Sequence, residues 1–129
     1  MQPIQLDDML FFEGKSGAFA LYDALRARVL GEIADVSIEV KKTQISFKNR
    51  HLFAAVSFLP VRRVKDRPRA FITVSFGLFD HLVSPRVDAA SEPYPNRWTH
   101  HVLIGSTAEI DDELMGWLKE AARLASLKR

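Results

Sequence analysis

Between Val36 and Ser106 the apolar residues recur at alternate positions in one short run after another, and only short connections separate the runs. In DVSIEVKK, Val36, Ile38 and Val40 alternate with Ser37, Glu39 and Lys41, the mark of a half-buried strand. TQISFKN sets Ile45 and Phe47 on one face and turns at Asn49. HLFAAVSFL and RAFITVSFGL are two further runs, split by the basic, proline-bearing segment PVRRVKDRPR. In the second of these, Ile72, Val74 and Phe76 oppose Phe71, Thr73 and Ser75, so one face is expected to be buried and the other wetter. DHLVSPRV is expected to add a short edge strand, because Pro85 does not suit a central one. SEPYPNR then reads as a loop and HHVLIGS as the last strand. Consecutive strands joined this closely pair antiparallel.

The period changes on both sides of this block. QLDDMLFFE, residues 5 to 13, is expected to be a short helix capped by Asp7 and stopped at Gly14. A second helix is expected from Ser16, as N-cap, to about Ile33, with Phe19, Tyr22, Leu25, Val29 and Ile33 on one face. In the final helix Asp111 is the expected N-cap, with Ile110 and Met115 placed as a hydrophobic staple. Asp112 and Glu113 follow at the positive end of its dipole. Leu114, Trp117, Leu118, Ala121, Leu124 and Ala125 form its stripe. The fold class is therefore α+β: an antiparallel sheet of about five strands, with two N-terminal helices and one C-terminal helix packed on it. The 129 residues form a single domain, 1–129, large enough for a core without staples.

There is no cysteine, which excludes disulfides, thiolate metal sites and cysteine nucleophiles and makes a cytoplasmic setting the expectation. No apolar stretch approaches the ~20 residues that span a bilayer, and no leader pattern opens the chain. Charge is unevenly spread. Residues 41 to 101 hold eleven Lys or Arg against four acids, a local net of +7, while the other segments hold seven bases and twelve acids. Such asymmetry steers anionic partners to one side.

The pair His100–His101 invites an active-site interpretation. Neighbouring strand residues point to opposite faces, however, so the two cannot easily converge on one metal ion. His51 and His81 stand in no ligand-like spacing with them, no elbow frames a serine, and no glycine-rich phosphate loop is present. No catalytic residue, metal or cofactor is assigned. Lys42 shares parity with Val36, Ile38 and Val40. If it reaches a polar pocket at the sheet rim, it could join Arg86, Arg97, His100 and His101 in an anion-binding cluster. The basic segment offers Arg62, Arg63, Lys65, Arg67 and Arg69 for phosphate contact without sequence readout.

The stretches KKTQISFKNRHLFAAV, SPRV and NRWTHHVLIGSTAEIDDELMGWLKEA resemble a group of small bacterial domains of unknown function. In that group a K-T-x-I-S-F strand precedes a W-x-H-H strand and an acid-capped final helix. The ending is also distantly similar to the MmcQ/YjbR and YdhG-like families. The resemblance runs from about Phe11 to Ala125. It implies an α+β fold with an antiparallel sheet, makes Lys42, Thr43, Phe47, Arg97, Trp98, His100 and His101 the family positions, and implies little about activity. The leading expectation is a non-catalytic module that binds nucleic acid or another anionic partner through its basic middle segment. The alternatives are a small-ligand pocket or enzyme using Lys42, Arg97 and His101, and a protein-interaction or dimerisation domain.

Overall fold

The computed structural model describes residues 4–128. Two helices, α1 (Leu6–Phe11) and α2 (Ser16–Glu32), precede six strands: β1 (Ser37–Val40), β2 (Ile45–Lys48), β3 (Leu52–Ser57), β4 (Ile72–Leu78), β5 (Ala89–Tyr94) and β6 (Arg97–Ile104). Helix α3 (Asp112–Leu127) closes the chain. The sheet is antiparallel throughout, in the order β1-β2-β3-β4-β6-β5.

It has six strands rather than about five, and the difference lies around the prolines. DHLVSPRV forms no strand, whereas Ala89–Tyr94, which overlaps the expected loop from Ser91 onward, pairs with β6 as a hairpin. Tyr94 faces Arg97 across the two-residue link Pro95–Asn96, and Asn96 takes φ 61°. Proline followed by a residue at positive φ is the composition of a type II turn. Pro93 is tolerated because β5 is an edge strand. The last strand accordingly begins at Arg97, three residues earlier than expected.

The alternation of β2, β3, β4 and β6 decides which face is sealed. Ile45, Phe47, Ala54, Val56, Ile72, Val74, Phe76, Val102 and Ile104 enter one buried cluster with α2 and α3. From Phe47–Ala54 to Lys48–Leu52 the register advances one residue on β2 and two on β3, so Phe53 is an extra, bulged residue. That bulge brings Phe53 into the same core as Ala54. Helix α2 contributes Ala18, Leu21, Tyr22, Leu25 and Val29 at spacings of three and four. Its N-cap is Lys15, with Ser16 already helical, one residue from the expected boundary. The α1 cap is Gln5 rather than Asp7: the buried Asp8 carboxylate accepts from the Gln5 amide at 2.9 Å and from the Tyr22 hydroxyl at 2.9 Å, tying α1 to α2. Helix α3 starts as the sequence implies, the Asp111 carboxylate accepting from the Leu114 amide at 3.0 Å.

Two arginines, Arg62 and Arg86, tie distant segments of the fold together. β5 begins at Ala89, opposite His101, so the backbone of Leu103 has no strand beside it on that edge. The Asp88 carboxylate takes the Leu103 amide at 2.7 Å, and Arg62 donates to both Asp88 (2.7 Å) and the Leu103 carbonyl (3.4 Å). This pair stands in for the missing strand. Arg86 donates to the Asp111 and Glu113 carboxylates and to the Glu109 carbonyl, anchoring the segment 79–88 to the start of α3. The Asp88 side chain is 13% exposed, so deleting it leaves the Leu103 amide poorly solvated. Asp88→Ala is expected to lower unfolding free energy by about 2 kcal/mol, read as a lower urea midpoint. An unchanged midpoint would remove the clamp from this account.

Candidate functional site

The face of the sheet turned away from α2 and α3 carries Ser46, Ala55, Ser57, Thr73, Ser75, Gly77, Thr99 and His101 by alternation and register. Apart from Leu103, which faces Thr73 on the same side and is fully buried, these are small or polar side chains, so this floor lies low. Ala55, Ser57, Ser75, Gly77, Thr99 and His101 line part of an open trough of about 1550 Å³. It also reaches Phe53, Ala54 and Phe76 of the helix-covered parity and Ala121, Leu124 and Ala125 of α3, whereas Ser46 and Thr73 are fully buried and lie outside it. At one end the β1–β2 turn presents Lys42 and Thr43, beside Phe58, Phe11 and Lys15. The Lys15 ammonium sits 4.9 Å from the Phe58 ring centre, and Phe58 stacks on Phe11. At the other end the Arg97 guanidinium lies 4.4 Å from the centre of the Phe79 ring, next to the exposed Tyr94. His51 and Lys128 line the trough where the end of α3 reaches it, and the His51 ring meets the Lys128 carbonyl.

Sixteen acids occur in the chain. None of them lines this trough, while Lys15, Lys42, Arg97 and Lys128 do. Its lining is cationic and apolar.

The structure separates the residues singled out from sequence. Lys42, Arg97 and His101 share the trough but do not meet at one point. Trp98 is opposite Leu78, and Val102 is in line with Val74, Val56 and Ile45. Five residue steps along β6 thus separate Arg97 from the level at which the Lys42 turn begins, roughly 16 Å along the strand. Lys42 lies beyond the end of β1, exposed rather than inside the sheet. Arg86 and Arg62 are engaged as described above. Arg63, Lys65 and Arg69 are exposed around the 3-10 turn Val64–Asp66, and Arg67 lies over Phe71 at 5.8 Å.

The histidines divide as strand alternation requires. His100 points into the helix-covered face, fully buried, its ring stacked on Phe76, which stacks in turn on Trp117. Its Nε2 accepts the Leu82 amide at 2.9 Å, which holds the segment after β4 in place. Burial, assisted by the nearby His81, keeps its pKa below the ordinary 6.5. His101 faces the trough, with Nδ1 2.7 Å from the hydroxyl of Ser75, its cross-strand partner. Burial lowers its pKa as well. Ser75 was not singled out from sequence beyond its place on the wetter parity. Its partnership depends on the β4–β6 register, which no local pattern encodes. Among the described residues no three His, Asp or Glu side chains are grouped to hold a metal ion, and no helix is long and apolar enough to cross a membrane.

A family model, Domain of unknown function (DUF5655), matches residues 10–125. The chain belongs to DUF5655. No match emerges among the curated proteins or the solved structures. The DUF5655 span runs from the end of α1 to the last turn of α3, so it includes every strand of the trough.

A histidine whose pKa is depressed in the folded state binds fewer protons than the unfolded chain. Its contribution to stability is therefore complete above the ordinary value near 6.5 and is lost as pH falls below it. The urea midpoint is expected to drop between pH 6.5 and 5.5, less steeply in His100→Gln, whose amide oxygen can still accept from Leu82. Equal slopes in the two proteins would exclude His100 as the titrating group.

Proposed function

We propose that this DUF5655 domain is a non-catalytic binding module and that the open face of its sheet receives single-stranded nucleic acid. The observation that carries the proposal is the lining of the trough: four Lys or Arg, no carboxylate, and aromatic rings at both ends. Single strands are held by a cationic groove that follows the backbone and by rings on which bases stack. The pairs Lys15–Phe58 and Arg97–Phe79 offer a cation and a ring together at the two ends. The small floor residues allow bases to approach the sheet closely, and Ser75, Thr99 and His101 offer donors and acceptors to base edges.

The separation of Lys42 from Arg97 suits an elongated polyanion better than one isolated anionic group.

The basic segment was the first contact surface expected from sequence. With Arg62 committed to Asp88, Arg63, Lys65, Arg67 and Arg69 remain as a secondary route along which a strand could continue. Fluorescence anisotropy with a labelled oligothymidine tests the proposal. Three phosphate contacts imply a salt slope near −2, so affinity is expected to fall roughly twentyfold between 50 and 200 mM salt. Lys42→Ala and Arg97→Ala should each weaken binding several-fold and flatten that slope by about 0.7, whereas Arg63→Ala should change it less. Absent or salt-insensitive binding overturns the proposal. A dominant effect of Arg63→Ala returns the contact to the basic segment.

A further inference from the structure

The middle of the trough, between its two cationic ends, is occupied by the hydrogen-bonded pair Ser75–His101. We propose that this pair is an oxyanion subsite, at which a phosphate oxygen and a proton on His101 bind together. The inference rests on the open-face proposal and adds a specific group that would be recognised, together with a coupling to pH.

The geometry supplies the mechanism. Ser75 and His101 are direct partners across β4 and β6, so the 2.7 Å contact is held by the sheet. Among the described residues Ser75 is the one side-chain partner of the His101 ring, and both residues line the trough. In the Nε2–H tautomer of the neutral ring, the Ser75 hydroxyl donates to Nδ1. Proton uptake at Nδ1 reverses that bond: Nδ1–H now donates to Oγ, and the serine hydroxyl proton is released to point outward. The pair thereby changes from one outward donor, Nε2–H, to two, with a positive charge on the ring. Two donors and a cation suit a phosphate oxygen. No bond is made or broken other than hydrogen bonds and the transfer of one proton from solvent.

The surroundings allow the empty site to remain neutral and a loaded one to charge. Besides His101, the charged or titratable groups lining the trough are Lys15, Lys42, His51, Tyr94, Arg97 and Lys128, so no carboxylate is present to hold a proton on His101 beforehand. On β4 the facing group is Ser75, and on β5 it is Ala89. Asp88, next to Ala89, is engaged by Arg62 and the Leu103 amide. His100 lies on the opposite face of the sheet and is packed against Phe76. Burial already favours the neutral imidazole. An incoming oxyanion is thus the group that would make the charged form favourable.

The test is an NMR titration of the histidine rings from pH 5.5 to 8, with inorganic phosphate and, separately, with oligothymidine. The expected result is an upward shift of the His101 midpoint with either probe, while His100 serves as an internal reference and stays in place. Oligothymidine affinity should then rise by up to about tenfold per pH unit as pH falls, the limit for one linked proton. That dependence should vanish in His101→Gln and weaken in Ser75→Ala, with residual binding through Lys42 and Arg97. If oligothymidine binds and the His101 midpoint does not move, the subsite is overturned and the open-face proposal survives. If phosphate shifts His101 but oligothymidine does not bind, the subsite stands and the nucleic-acid proposal falls. If neither probe moves His101, the subsite is overturned, and this outcome is read on the wild-type protein whether or not the variants fold.

Discussion

Helices α2 and α3 pack on one face of the six-stranded sheet, and much of the rest of the molecule follows from which face they take. The core forms where β-branched and aromatic residues recur on one parity: Ile45 and Phe47, Val56, Ile72, Val74 and Phe76, Val102 and Ile104. Burying each such side chain contributes on the order of 1.5–3 kcal/mol. A one-residue slip of any strand would place that set in water and Ser46, Ser75 and His101 under the helices. Register and sidedness are therefore one constraint. The bulge at Phe53 respects it by adding a residue without reversing the face of those that follow.

The opposite face inherits what the core does not use, and at Ser46, Thr73 and Leu103 it too is fully buried. Hydroxyls, alanine and glycine give a low floor, while side chains from the loops and strand ends build the walls. Electrostatics then sorts the cations. Arg62, Arg86 and Arg28 are drawn to Asp88, to Asp111 with Glu113, and to Glu32 with Asp112, where they fasten loops and helix ends. Lys15, Lys42 and Arg97 lie against the trough, two of them over aromatic rings. The concentration of positive charge in the middle of the sequence thus has two outcomes in space: part is neutralised inside the fold, and part is left facing the open side of the sheet.

Much of this was legible in the chain. The period of two, the acid-capped final helix and the opposed directions of His100 and His101 are local, and local patterns survive folding. Asp111 caps α3 and Ile110 and Met115 enter the core because those preferences depend on neighbours a few residues away. β5 was missed because Pro93 and Pro95 suggest a loop, although an edge strand tolerates one proline and a type II turn favours the other. The fates of Arg62 and Arg86 were not legible, since each depends on a carboxylate about 25 residues distant. The Ser75–His101 pair escaped notice for the same reason. A strand residue announces its face, but its cross-strand partner is chosen by the whole sheet.

The claim on which the account stands is that the uncovered face of the sheet is the working surface. Amide chemical-shift mapping with an oligothymidine addresses it most directly, because the two faces of one sheet are compared within a single sample. The account predicts perturbations along Ala55, Ser75, Gly77, Thr99 and His101 and at the Lys42 turn, with α2 and the first turns of α3 silent. Perturbations confined to residues 62–69 or to the helices would contradict it.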